Sequence, residues 1–230
     1  ELFEVETAHY FSILPTATPY ARNAIFSGLF PAEIKSRHPR WWSEEDEPSM
    51  NAHEHELLTE QLRELTGGPV PVRYEKVFSA QNGDAPLKGL PPPTYRPRVP
   101  ALDTATGLLF AKGFNRLSHG RTENQALFEV ARDMHALRTL TRTWFERSPL
   151  LEALREAERR NVPVLLTTDH GSIHCHTPAT VYARRDATAN LRYKFGEDIR
   201  AQDADAAITV DDPTTYGLPD RGPNTKLILA

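Results

Sequence analysis

The apolar positions of this chain repeat with two periods, one close to two residues and one close to 3.6. Residues 2–5, 10–14, 70–78, 206–210 and 226–229 are short, apolar or alternating, and mostly rich in β-branched and aromatic side chains, which predicts strands. Residues 107–114 and 162–168 are nearly continuous apolar runs and predict buried strands. The longer period appears at 21–29, where Thr18 stands in the N-cap position with Pro19 behind it, and Gly28 and Pro31 mark the stop. It returns at 54–65, with Leu57, Leu58, Leu62 and Leu65 on one stripe and Gly67-Gly68 as the cap. A long helix is expected from Thr122 or Glu123, with Leu127, Val130, Met134, Leu137 and Leu140 in line, and another over 150–160 behind Ser148-Pro149.

The remaining stretches read as connections. Residues 31–42 form a short amphipathic piece carrying Trp41 and Trp42, and 43–48 an acidic loop. Residues 80–100, crowded with Pro and Gly, form a loop or insertion and a candidate lid. Residues 181–195 are polar and mixed. The helix at 150–160 followed at once by an apolar run predicts an α/β architecture with a mostly parallel sheet.

Composition narrows the classes. The chain has 230 residues, long enough for a sizeable core, and a formal net charge of -4, so no global basic field attracts nucleic acid. Cys175 is the single cysteine, which excludes an intrachain disulfide and a thiolate zinc knuckle and suits a cytoplasmic setting. No apolar run has the length of a membrane span, and the N-terminus lacks a signal-peptide pattern. Glu1 and Ala230 both fall within patterned strands, so both ends are expected to be cut from a longer protein.

Two features carry chemistry. Thr18 lies at a strand-to-helix turn, and Asp169-His170-Gly171 directly follows the 162–168 run. In doubly wound α/β sheets, ligands bind beyond the carboxyl ends of the strands. A helix start offers an anion its amides and dipole. A threonine hydroxyl is a weak nucleophile until a metal lowers its pKa, and Asp and His are suitable zinc ligands. Thr16 is the rival hydroxyl. Asn115 and His119 are four apart and would face one way on a helical turn, a candidate half of a second metal site. Arg22 and Asn23, one turn into the helix, are candidates to touch a phosphate oxygen. Arg184, Arg185, Arg192 and Lys194 are candidates to steer one in. His174 and His176 would share one strand face, whereas His53 and His55 read as solvated and the Trp pair as packing.

With these residues the chain resembles the PglZ domain, a branch of the alkaline phosphatase superfamily, and in particular the effector domain of PorX-type response regulators. The resemblance rests on the 11–29 stretch, Leu117-Ser118-His119, the 143–150 stretch, Thr167-Thr168-Asp169-His170-Gly171 and the 188–194 stretch. It implies one domain over 1–230, a three-layer α/β/α sandwich with a mostly parallel central sheet. The implied activity is a zinc-dependent phosphodiesterase or phosphatase acting on nucleotide-like phosphoesters, cyclic or linear oligonucleotides among them. Thr18 falls on the nucleophile, Asp169 and His170 on the ligands of the zinc that activates it, and His119 on a ligand of a second zinc. The implied partners are an upstream receiver domain and a second copy in a homodimer. The family's remaining ligands, an Asp and a His, are expected upstream of Glu1 and downstream of Ala230. Asn115 stands where the family has Asp and brings no charge to offset a dication. The alternative is a degenerate domain that binds a nucleotide or partner protein without turnover. A sulfatase or phosphomutase ranks lower, since sulfatases use a modified Cys or Ser and position 18 is Thr.

Overall fold

The computed structural model describes residues 3–43, 51–72, 74–77, 108–111, 129, 131–171, 178–184, 187, 188, 190 and 192–229. The acidic stretch after Ser43, the 80–100 loop, Asn115, His119, the 122–128 start of the long helix, the 172–177 stretch with His174 and His176, and Arg185 lie outside these residues. The chain divides into two compact units, one of residues 1–7 and 70–166, the other of 8–69 and 167–230.

The second unit carries Thr18. Its helix α1 runs Thr18–Ser27 and ends on Gly28, whose φ of 69° is the left-handed conformation that glycine adopts without strain. Gly28 is also a close approach, because a Cβ there would lie 2.6 Å from the Gln61 side-chain amide. The helix starts one residue earlier than expected. Ala17 is the N-cap, in extended backbone and with no side-chain cap bond, and Thr18 is already helical. The Thr18 hydroxyl is therefore not used to cap its own helix.

Helix α2 spans Pro31–Arg37 and helix α3 spans Glu54–Thr66, capped by Gly67 at φ 72°. Leu57 and Leu58 of α3 are buried, whereas Leu65 is 68% exposed, so the apolar stripe fades towards the helix end. Polar groups also join α1 to α3. Arg22 pairs with Glu54, and both side chains are almost wholly buried. The Asn51 amide donates to the Asn23 side-chain oxygen at 3.2 Å and to the Pro19 carbonyl at 3.3 Å.

Against α1 lies a three-stranded antiparallel sheet. Its strands are β4 (Tyr193–Glu197), β6 (Ile208–Val210) and β7 (Thr225–Leu229), in the order β4-β7-β6. Phe195, Leu227 and Val210 sit in one row across it. They form the core with Ala17, Tyr20, Tyr193 and Leu218. Tyr20 meets Tyr193 edge-on at 5.8 Å, and its hydroxyl accepts a bond from Arg221 at 2.8 Å. Trp42 packs against this core, and Trp41 stacks on His38 at 4.6 Å. Strands β3 (Val181–Tyr182) and β5 (Arg200–Ala201) form a separate antiparallel pair.

The first unit holds β1 (Tyr74–Val77) and β2 (Leu108–Ala111), paired in parallel from Tyr74↔Leu108 to Val77↔Ala111. Its helices are α4 (Met134–Glu146) and α5 (Pro149–Arg159). Asp133 caps α4 by accepting from the Ala136 amide at 2.8 Å, which starts this helix well after Thr122.

The mixed α/β character is present, but among the described residues the only parallel pairing is β1 with β2, and the other pairs are antiparallel. Residues 3–5, 10–14 and 162–168 carry no strand ladder there. In the last of these Leu165 and Leu166 are 79% and 76% exposed. Conversely, β4 lies in the stretch read as polar and mixed. Its Tyr193 and Phe195 alternate inward while Lys194 and Gly196 are only half-buried. No helix among the described residues is long and apolar enough to cross a membrane.

Breaking a buried ion pair by removing one member typically costs about 3–5 kcal/mol. Arg22→Met should therefore lower the unfolding free energy by about 3 kcal/mol or more in urea titration. A loss under about 1 kcal/mol, the scale of an exposed pair, would show that the pair does not hold α1 to α3.

Candidate active site

Two stretches of the second unit, far apart in sequence, lie side by side. The residue 10–12 stretch binds residues 167–169 through side chains rather than a backbone ladder. The Tyr10 hydroxyl donates to the Thr168 carbonyl and lies 2.6 Å from the Thr167 hydroxyl, which can donate to it. The Ser12 hydroxyl donates to the Asp169 carbonyl at 2.7 Å. These side-chain donors occupy carbonyls that a neighbouring strand would otherwise use, in keeping with the missing ladder here. The turn is tightened from within, the Thr168 hydroxyl donating to the His170 carbonyl at 2.9 Å and the His170 amide to an Asp169 carboxylate oxygen at 3.2 Å.

The bonds at Thr168 and Asp169 lead directly to His170. Its Nε2 lies 3.1 Å from the Thr18 hydroxyl oxygen and 3.6 Å from Asp169 Oδ2. The two side chains are 16% and 17% exposed, open enough for a ligand yet partly shielded from water. Nδ1 lies 2.9 Å from the Gly171 carbonyl oxygen, and Arg192 Nη1 lies against the ring, 3.0 Å from Nδ1 and 3.5 Å from Nε2. Arg192 Nη1 also donates to the Thr16 carbonyl at 2.8 Å. Thr18 opens α1, so its hydroxyl stands at the positive end of the helix dipole. The site thus offers a hydroxyl, a carboxylate and an imidazole together, with a guanidinium beside them.

Not every candidate is here. Asn23 is wholly buried against Asn51, and Arg22 against Glu54, so both brace α1 rather than line the site. Arg184 pairs with Asp198 at 2.7 Å and Lys194 donates to the Thr188 carbonyl at 2.8 Å. Of the basic side chains proposed for steering, Arg192 is the one bonded at His170 among the described residues. His53 lies beside Glu56 at 3.5 Å, in keeping with a solvated face. Tyr10 and Ser12 were not singled out from sequence. Their signal was the alternation of the 10–14 stretch, which sets residues 10 and 12 on one face. Thr16 contributes its carbonyl to the Arg192 contact, not its hydroxyl.

Asp169, His170 and the Thr18 hydroxyl are the groups here that could hold a divalent metal. Among the described residues, no group of three or more His, Cys, Asp or Glu side chains is placed to hold one. A separate cavity of about 190 Å³ is lined by Asp211, Asp212, Asp220 and Arg221 among others. Its acids are already occupied: Asp211 pairs with Lys226, while Asp212 and Asp220 accept from the Thr214 and Gly222 amides.

A hydroxyl at a helix start beside an Asp-His turn is an arrangement suited to phosphoester chemistry. Residues 1–229 match the family described as the BREX system PglZ alkaline phosphatase-like domain, and the chain belongs to that family. Comparison with curated proteins gives no match.

The Ser12 bond is partly buried and fixes the Asp169 end of the turn. Ser12→Ala should lower stability by about 1 kcal/mol, the usual worth of such a bond, and leave the Asp169 carbonyl short of a donor. No measurable change in a urea titration would mean that the turn is held without it.

Proposed function

We propose that this chain is a phosphoesterase domain in which Thr18 is the nucleophile and Asp169 and His170 are zinc ligands. The supporting observation is the 3.1 Å approach of the Thr18 hydroxyl to His170 Nε2, made across 152 residues of sequence. Family membership independently supports phosphoester chemistry.

The donor types fit zinc, which accepts imidazole nitrogen and carboxylate oxygen. The Gly171 carbonyl fits as well, because a zinc-bound histidine commonly donates its other N–H to a backbone carbonyl. When bound, zinc supplies a lowered hydroxyl pKa and stabilises charge on the reacting oxygens. The protein's own part is positional. Ser12 and Tyr10 hold the turn, so that His170 stays turned to Thr18. The amides at the start of α1 and the guanidinium of Arg192 provide positive potential for an anionic phosphoryl group. Thr18 Oγ forms a bond to phosphorus as the bond to the leaving oxygen breaks. Water then cleaves the phosphothreonine, returning the hydroxyl and releasing phosphate or a phosphomonoester.

The finer parts of this reading come from the sequence resemblance. They are a second zinc at His119 and Asn115, oligonucleotide substrates, an upstream receiver domain and a homodimer. One sequence feature favours a second reading, a binding module without turnover: Asn115 replaces a charged ligand with a neutral one.

Hydrolysis of bis-p-nitrophenyl phosphate with added zinc separates the two. The wild type should turn over and lose activity to a chelator. Thr18→Ala should lose about a thousandfold or more, since removal of a nucleophile abolishes its covalent route. Thr16→Ala should retain activity. Turnover that survives Thr18→Ala would refute the nucleophile, and zinc-loaded wild type without turnover would favour the binding module.

A further inference from the structure

Arg192 belongs to neither of the two stretches that meet at the site, yet it touches both. Its Nη1 donates at 2.8 Å to the carbonyl of Thr16, two residues before Thr18. The same Nη1 lies 3.0 Å from Nδ1 and 3.5 Å from Nε2 of the His170 ring. A donor aligned with one ring nitrogen would stand much farther from the other. Two such similar distances put Nη1 over the face of the ring, where it favours neither nitrogen. Guanidinium groups settle on aromatic faces in this way. The edge of the ring is tethered elsewhere, Nε2 lying 3.1 Å from the Thr18 hydroxyl and Nδ1 2.9 Å from the Gly171 carbonyl oxygen. Edge contacts fix where the ring sits but leave it free to pivot out of its plane. A group seated on the face stops the pivot towards that side. Arg192 is itself anchored: its amide donates to the Asn190 side-chain oxygen at 2.9 Å, and the next residue, Tyr193, is buried in the core.

We infer that Arg192 is a positioning residue: by bridging the Thr16 carbonyl and the face of the His170 ring, it holds the imidazole turned to the Thr18 hydroxyl. The inference rests on the reading of His170 as partner of Thr18. A misplacement of about 1 Å at a reacting group can cost about a hundredfold in rate, so the orientation of this ring is of consequence. Both contacts fall on one nitrogen, Nη1. Among the described residues, Nε and Nη2 bond no protein group, so the edge that grips a phosphate stays open while the ring is held. Arg192 is exposed, so a ligand arriving from solvent can reach it. A lysine would keep the charge and could bond the Thr16 carbonyl, but a compact ammonium has no plane to lay on the ring. Holding the ring therefore needs the guanidinium, whereas attracting an anion needs only the charge.

The test is NMR of the metal-free chain, read through the Overhauser cross-peak between the Thr18 methyl and the His170 ring protons. The wild type should show this cross-peak, and its absence there would sink the shared site and the inference with it. Arg192→Ala and Arg192→Lys should both lose most of it, while cross-peaks between Tyr20 and Tyr193 persist and show that the core is intact. A cross-peak at wild-type strength in Arg192→Ala, or one restored by lysine, would overturn the inference. A second measurement needs no variant. Protons held over an aromatic face are shifted upfield by its ring current. In protein labelled at arginine and cooled to slow exchange, the Arg192 guanidinium protons should therefore lie upfield of their random-coil position and show cross-peaks to the His170 ring. Arg192 protons with neither the shift nor the cross-peaks would overturn the inference even if both variants fail to fold. These readouts are independent of turnover, whereas the nucleophile assignment fails separately, through activity in Thr18→Ala.

Discussion

The candidate site exists because the chain closes on itself between residues 10–18 and 167–170. The contacts that close this loop span about 150 residues or more, from Tyr10 with Thr167 to Arg192 with Thr16. Closing so long a loop costs conformational entropy that a few hydrogen bonds, each worth about 1 kcal/mol net, cannot offset alone. The offset comes from the apolar core beside them. Ala17 and Tyr20 flank Thr18 in sequence, and both are buried against Tyr193, Phe195 and Leu227 of the antiparallel sheet. The residues adjoining the nucleophile candidate are thus themselves part of the hydrophobic anchor. The chemistry borrows its rigidity from that packing.

Polar bracing complements it. Arg22 and Asn23 follow Thr18 by one turn, and both are tied to residues 51–54 in the interior. That burial removes them from contact with a substrate but fixes the pitch of α1. Fixing the helix fixes where its first hydroxyl stands. Arg192 directly precedes β4, whose Tyr193 and Phe195 enter the core, so its guanidinium too projects from an anchored backbone. Thr18, His170 and Arg192 are therefore held by the same packed unit.

Local signals were legible in the sequence. Gly28 and Gly67 announced the ends of α1 and α3, and both adopt the left-handed cap. The apolar strands at 208–210 and 225–229 were also readable, because their apolar residues include the buried Val210, Leu227 and Ile228. What failed were readings that depend on a neighbour. An apolar run such as 162–168 says that a strand is possible, but not whether another strand lies alongside. At its end, side chains of Tyr10 and Ser12 bond the Thr168 and Asp169 carbonyls. Strand β4 was hidden by its flanking charges, since only its pairing with β7 reveals which face turns inward. The burial of Asn23 was hidden for the same reason, because polar residues are usually exposed and the tertiary partner Asn51 makes its burial tolerable. The Thr18 and Asp169-His170 features were recognisable as a pair because each is a local turn of distinctive chemistry. Their mutual geometry, and the approach of Arg192 to the His170 ring, are properties of the folded chain alone.

The central claim is that the Thr18 side chain and the His170 imidazole share one site in solution. A nuclear Overhauser measurement between the Thr18 methyl protons and the His170 ring protons, on protein labelled at these residue types, tests it most directly. The account predicts a cross-peak between them, despite 152 residues of separation. A spectrum with both residues assigned and no such cross-peak, or with Thr18 contacting only its own helix, would contradict it.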